Sequence, residues 1–290
     1  MISKRNSKLL YLSLINGQSL PASDLIKRTM NLQLSGKNAL VCGSTAGIGL
    51  ASAIELALLG ANVTLLGRNE EKLKNTIPLL QQSGDQKHNY IVADLSNPEL
   101  LTEQIGSQAE GTHFNILINN TGGPPPGQAI DADFSDFLTA FRMHLGSSQI
   151  ITKMVVPGMK KSCYGRIINI ISTSVKIPLP GLGVSNTIRG AMASWAKTLS
   201  LELVPFGITV NNVLPGSTMT GRLDGLIRNK AEKQGKSYEK IKEEMMAEVP
   251  LRRISEPHEV AAMVAFLASP AAGYVSGTSI PVDGGRTGSI

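Results

Sequence analysis

Two side chains four residues apart raise the first chemical question. Ser185 and Arg189, in "GVSNTIRG" (183–190), lie one turn apart on the same face if this stretch is a helix. A hydroxyl beside a fixed cation is a catalytic pair on one reading. On the other it is a helix start that carries a surface charge. A second stretch, "CGSTAGIG" (42–49), points to a different chemistry. Gly43, Gly47 and Gly49 permit a tight turn, close approach of backbone N–H groups and close packing of helix on strand. A helix that starts there turns unpaired N–H donors and a favourable dipole toward a diphosphate, with Ser44, Thr45 and Ile48 completing the loop.

These groups need a scaffold, and the apolar pattern supplies one. β-type runs recur at "NALVCG", "ANVTLLG", "NYIVAD", "FNILINN", "RIINIIS", "ITVNNVLPG" and "TSIPVDGG". Helical stretches separate most of them, at 47–60, 69–82, 97–108, 131–160, 185–204 and 257–268. Strands alternating with helices predict βαβ units. The strands are continuous apolar runs rather than alternating ones, which predicts burial on both faces. The fold class expected is α/β: a single Rossmann-type, doubly wound parallel sheet of about seven strands with helices on both faces. Residues 31–290 form this domain, and residues 1–30 form an extension, disordered or extraneous to it. Residues 221–248 break the rhythm with seven basic and six acidic side chains. They are read as a solvated helical segment or a mobile lid over a site.

The second strand sharpens the cofactor. A carboxylate there would take the ribose diol of NAD(H), but the chain has Gly67 and Arg68. An arginine suits a 2′-phosphate, so NADP(H) is preferred over NAD(H). Asp94, followed by Leu95, ends the third strand where it can accept from the adenine amino group. "NNTGG" (119–123) ends the fourth strand and lays Asn120 and Gly122 along the cofactor.

Together these residues resemble the short-chain dehydrogenase/reductase family over about residues 34–285. "GSTAGIG", "ADL", "NNTG", "GRIINIIS", "GITVNNVLPG" and "GYVSGTSIPVDGG" stand in family order and spacing, most similar to the β-ketoacyl-ACP-reductase-like group. The resemblance implies an NAD(P)(H) cofactor, hydride transfer at a carbonyl or alcohol, and a homo-oligomer, dimer or tetramer. It also implies an Asn–Ser–Tyr–Lys catalytic set, from which this chain departs. Ser172 keeps the serine slot, Ser185 stands where Tyr is expected, Arg189 replaces Lys, and His144 replaces Asn. The spacing is kept and the phenolic acid is not. A serine hydroxyl is a far weaker acid than a phenol, and arginine stays protonated, so neither restores proton transfer.

His144, titrating near neutrality, is the proton donor this reading favours; a packed histidine is the plain alternative. Lys176, four residues past Ser172 on the active-site loop, is a second candidate proton donor and a candidate substrate contact, or a solvated lysine. No tyrosine lies between Tyr164 and Tyr238; the first belongs to the wrong end of its strand and the second to the lid. "LPGSTMTGR" (214–222) ends the sixth strand. By resemblance Pro215, Gly216, Thr218 and Thr220 line the cofactor. Arg222 is either a bidentate anchor for a substrate carboxylate or phosphate, or part of a surface ion pair.

Composition narrows the partners. Of the formal +6, residues 1–29 carry +4, so the fold itself has no basic patch of the kind nucleic acid requires. No apolar run reaches membrane-spanning length, and nothing has metal-ligand spacing. Cys42 and Cys163 are too few for a disulfide framework, which points to a reducing, cytoplasmic setting. The expectation is an oxidoreductase acting on a small molecule, 3-oxoacyl-thioester-reductase-like, with a non-standard proton donor. The alternative is a catalytically silent NADP-binding subunit.

Overall fold

The structure, a computed structural model, describes residues 30–82, 84–109 and 111–289. The chain divides into two units, Met1–Asn31 and Leu32–Ile290, and the second holds the sheet. The expected extension, residues 1–30, lies outside the described residues apart from Met30.

Seven strands form one parallel sheet: β1 (Asn38–Cys42), β2 (Asn62–Gly67), β3 (Asn89–Val92), β4 (Ile116–Asn119), β5 (Gly165–Ile170), β6 (Ile208–Pro215) and β7 (Ser279–Val282). Their order is β3-β2-β1-β4-β5-β6-β7, so the winding reverses between β1 and β4. That reversal opens a crevice beyond the strand C-termini, where ligands of such sheets bind.

The continuous apolar runs have a direct structural cause. Within β1, Ala39 and Val41 join one core while Leu40 and Cys42 join the other. Both faces are dry because helices cover both. Helices α1 (Gly47–Leu58) and α9 (Pro257–Ala268) lie on the first face, through Ala53, Leu56 and Ala57 and through Val260, Val264 and Leu267. On the second face lie α3 (Pro98–Gln108), α5 (Ser147–Ser162) and α6 (Gly183–Leu203), through Leu101 and Ile105, Ile151 and Val155, and Ala196 and Leu203. The i, i+3, i+4 spacing of these residues sets which side of each helix meets the sheet.

One polar row crosses this core in register. Asn119 Nδ2 donates to Asn169 Oδ1 at 2.9 Å, Asn169 Nδ2 to Asn212 Oδ1 at 2.9 Å, and Asn212 Nδ2 to Ser279 Oγ at 3.0 Å. These residues pair directly across β4, β5, β6 and β7, so a one-residue slip would bury three unpaired amides.

Two expected helices divide. Pro78 cannot continue the helix over 69–82, so α2 (Glu70–Thr76) ends in a 3₁₀ turn, Ile77–Leu79. The long stretch 131–160 becomes α4 (Phe134–Phe141), a π-helical turn at Arg142–Gly146, and α5. Residues 221–248 fold as α7 (Gly221–Gln234) and α8 (Tyr238–Ala247), separated at Gly235, whose φ is +61°. This pair has its own small core of Leu223, Ile227, Ala231, Ile241 and Ile254. Among the described residues no helix is long and apolar enough to cross a membrane, and none of their His, Cys, Asp or Glu side chains cluster as a metal site.

Candidate active site

The loop from β1 to α1 lies at the winding reversal. Gly43 (φ +58°) and Gly47 (φ +56°) occupy left-handed backbone that favours glycine. Gly49 is required for packing instead: a Cβ there would lie 2.2 Å from the Gly43 carbonyl oxygen. Asn120 ties the loop to the end of β4, its Nδ2 donating to the carbonyls of Cys42 at 3.3 Å and Gly43 at 3.1 Å. Ser44 is buried and its hydroxyl donates to the Leu66 carbonyl at 3.3 Å; Thr45 and Ile48 are half-buried.

The start of α1 has no side-chain cap and no acidic residue in its first turn. The first helical bond runs from Leu50 N to Ala46 O. The N–H groups of the first turn are therefore free donors at the positive end of a helix dipole, which fits a diphosphate. Cys42 beneath the loop is buried, and burial pushes its thiol up to about 12, so it is an inert filler.

The adenosine-side residues are also in position. Arg68 is exposed just past β2. Asp94 accepts from the Ser96 N–H at 2.9 Å; that bond first, and the Arg68 charge last, hold its carboxyl below the usual carboxylate range. Leu95 packs on the second-face core, and Gly122 borders open space. On the opposite side Pro215 closes β6, while Gly216 lies against Asp283, 2.7 Å from where a Cβ would stand. Thr218 pairs with Ser255 through the backbone groups of Ser217 and Met219, and its hydroxyl meets Ser255 Oγ at 2.9 Å. The peptide groups of Thr218 itself face away from that ladder. Thr220 caps α7, and its methyl group packs 3.1 Å from a Cβ position on Gly47.

The catalytic slots converge beyond β4, β5 and β6. Ser172 follows β5 and its Oγ accepts from Ser174 N at 3.1 Å, which leaves its own proton free to donate. Ser185 and Arg189 sit in the first turns of α6, both buried at 7% exposure, so the surface-charge reading does not hold for Arg189. Arg189 Nη1 donates to the Ile170 carbonyl at 2.9 Å, and its Nε has no partner. Burial first, and the Arg222 charge second, pull this guanidinium down to about 10.

His144 belongs to the π turn and is buried at 1% exposure. Its Nδ1 is hydrogen-bonded to Thr121 Oγ1 and its Nε2 has no partner. Burial, then the charges of Arg189 and Arg222, push it down to about 3. The expectation that His144 titrates near neutrality is thereby corrected: two cations and a dry setting keep it neutral, so it holds no imidazolium proton to give. Arg222 is exposed along its length, but its guanidinium lies on Gly123, where a Cβ would meet Nη1 at 1.7 Å, and its Nη2 donates to Pro124 O at 3.2 Å. It forms no ion pair among the described residues.

Neither tyrosine replaces the missing phenol. Tyr164 donates to the Ala268 carbonyl at 2.7 Å, at the N-terminal end of β5. Tyr238 OH donates to Asp224 Oδ1 at 2.9 Å, and that bond raises its pKa. Lys176 is exposed, and its side chain makes no hydrogen bond or ion pair among the described residues. Thr121 and the carbonyls of Pro124 and Ile170 join the site without a mark in the sequence pattern. "NNTGG" contains Thr121, but nothing in its spacing marks His144 as its neighbour. A cavity of about 300 Å³ bordered by Ser217, Ser255 and Asp283, the neighbours of Gly216 and Thr218, holds Arg253 already paired with Glu259 at 2.6 Å.

Residues 43–287 match a family model described as enoyl-(acyl carrier protein) reductase. The chain is 31% identical over 258 residues to an uncharacterized oxidoreductase of Mycobacterium tuberculosis, covering 88% of this chain and 94% of that protein. It is 34% identical over 259 residues to the 3-oxoacyl-[acyl-carrier-protein] reductase FabG of Rickettsia felis, covering 88% and 98%. Its fold is similar to that of L-sorbose reductase from Gluconobacter frateurii, solved in complex with NADPH and L-sorbose. The TM-score is 0.83 at 27% identity, over 90% of this chain and all of that one.

Proposed function

The chain belongs to the short-chain dehydrogenase/reductase family of oxidoreductases, and from that premise we propose that it is an NADP(H)-dependent carbonyl reductase working without a phenolic acid. One observation carries the reading. The start of α1 is uncapped at the winding reversal, and Ser172 after β5 and Ser185 and Arg189 in the first turns of α6 keep the family's catalytic spacing. Arg68 in place of an acid after β2 supports the choice of NADP(H) over NAD(H). The similarity to an NADPH-bound sugar reductase points the same way.

When bound, the dinucleotide would supply hydride to the carbonyl carbon while the carbonyl oxygen takes up one proton. The free N–H groups of Gly47, Ile48 and Gly49, with Thr45, would hold the diphosphate, and Asp94 and Leu95 would frame the adenine; the expected contact from Ser44 is corrected, because its hydroxyl and N–H are both spent on the Leu66 carbonyl in a fully buried position. Asn120 fixes the loop, Gly122 leaves room beside it, and Pro215, Gly216, Thr218 and Thr220 shape the nicotinamide side. Ser172 and Ser185 donate to the substrate oxygen. Arg189 adds a positive field and reaches the ribose but relays no proton. His144, held neutral and hydrogen-bonded to Thr121 through Nδ1, positions that hydroxyl and supplies no imidazolium proton, so the proton on the carbonyl oxygen comes from water. Cofactor and substrate positioning retain most of the rate, since general acid catalysis contributes only about 10²–10⁴-fold.

The similarity to FabG makes 3-oxoacyl thioesters the first substrates to try. Free Cys42 and Cys163 are consistent with a reducing, cytoplasmic setting. The stripe Phe134, Leu138 and Phe141 on α4, exposed at 76, 46 and 44%, supports a homo-oligomer.

The missing phenol, with His144 held neutral, also favours a second reading: an NADP-binding protein that has lost turnover. NADPH oxidation by the purified protein across ketones, 3-oxoacyl thioesters and quinones decides between them. Turnover by the wild type establishes the reductase. Turnover that emerges only in the Ser185→Tyr/Arg189→Lys double variant establishes the silent homologue.

A further inference from the structure

The region between β4, α6 and the base of α7 holds donors and no carboxylate. Arg189 is 93% buried by its 7% exposure, with Nε bare, and the buried Nε2 of His144 is bare as well. The Ser185 hydroxyl makes no hydrogen bond among the described residues, and no ion pair there reaches Arg189 or Arg222. Gly123 provides a seat for Arg222: any larger residue would collide with its guanidinium, which is docked on Pro124 O. A buried cation with no counter-charge is costly, and the cost is recovered when an anion arrives. The two arginines share one electrostatic neighbourhood, since each lowers His144 and Arg222 lowers Arg189, with no acid in opposition.

We propose that this donor cluster is a carboxylate site, so that the substrate is an oxo acid whose carboxylate is held by Arg222 in the positive field of Arg189, beside Ser185 and His144. The inference rests on the reductase reading and narrows its substrate from carbonyl compounds in general to those bearing an anion near the carbonyl. Phosphates of the cofactor are the other source of negative charge. Arg68 lies on the β2 side of the crevice, whereas Arg222 stands two residues from Thr220, which packs on Gly47 at the start of α1, so the cofactor's diphosphate is the competing occupant that the test must exclude. A planar carboxylate with two oxygens matches the forked donors of a guanidinium, and Arg222 has one such fork with only Nη2 engaged, on Pro124 O.

Calorimetric titration of the NADP⁺-loaded protein with acetoacetate, phenylpyruvate and their methyl esters tests this. The acids bind at least about tenfold more tightly than the esters, the ratio a charge-assisted hydrogen bond supplies. Arg222→Met removes that preference and leaves NADP⁺ affinity within twofold. Equal binding of acid and ester, or no binding of either acid, overturns the proposal. So does an Arg222→Met variant that weakens NADP⁺ by tenfold while keeping the acid preference, because the anion is then the cofactor's. Failure of the wild type to take up NADP⁺ refutes the reductase reading instead. Acid-over-ester binding by the nucleotide-free protein then still decides the anion site.

Discussion

Replacing Arg189 by methionine separates what this residue costs the fold from what it does for a ligand. Burial, and then Arg222, take the guanidinium from the ordinary arginine range down to about 10. At 1.36 kcal/mol per pKa unit this is a native-state cost of about 3 kcal/mol, present at neutral pH because the folded group remains charged. Methionine fills much the same volume without the charge. The substitution strands the Ile170 carbonyl, which accepts from Nη1 at 2.9 Å, at a cost of about 1–3 kcal/mol. The balance favours the ligand-free variant by roughly 0–2 kcal/mol, or up to about 8 °C in Tm at about 2–4 °C per kcal/mol. The nucleotide side moves the other way. NADPH raises the wild-type Tm more than the variant's, since a charge-assisted contact worth about 1.5–3 kcal/mol is missing. Differential scanning calorimetry with and without saturating NADPH reads both quantities. A ligand-free Tm lowered by more than about 4 °C would show that Arg189 is a structural keystone, and the argument from its buried charge would fail.

Other perturbations act at separate points. Gly49→Ala places a Cβ 2.2 Å from the Gly43 carbonyl, so it should abolish NADPH binding while the far-UV spectrum is retained; unchanged affinity would remove the loop from the cradle. Arg68→Ala should reduce the ratio of NADPH to NADH affinity by at least about tenfold, as loss of a phosphate contact requires, and an unaltered ratio would place the 2′-phosphate elsewhere. His144 has a depressed native pKa of about 3 against 6.5 unfolded. Its neutral burial stabilises the fold above pH 6.5, and that stability is lost as pH falls toward 3, at about 1.4 kcal/mol per pH unit. In urea titrations, His144→Gln should flatten this acid limb; identical slopes in both proteins would show that His144 is not held neutral.

The parts legible from sequence are those that depend on period and spacing. The runs at "NALVCG" and "RIINIIS" predict buried parallel strands because each residue faces one core or the other, and β1 and β5 bear this out. Helix α9 matches the stretch 257–268 to the residue, since Pro257 marks its first turn and Ser269 follows its last. The π turn at Arg142–Gly146 was not legible, because it lies inside an uninterrupted helical pattern with no glycine or proline before Gly146 to mark it. The same gap explains His144. Its pKa depends on Arg189 and Arg222, 45 and 78 residues distant, and on a dry setting, none of which is marked in "FRMHLGSS". Arg222 could be read as an anchor or a surface ion pair, and only the seat on Gly123 shows where its guanidinium lies.

The central claim is that this chain holds NADP(H) in the crevice between the start of α1 and the Ser172–Ser185–Arg189 cluster. Calorimetric titration of the purified protein with NADPH and with NADH tests it most directly. One NADPH should bind per chain, at least about tenfold more tightly than NADH, as a phosphate contact at Arg68 supplies. No heat with either nucleotide would contradict the account at its root.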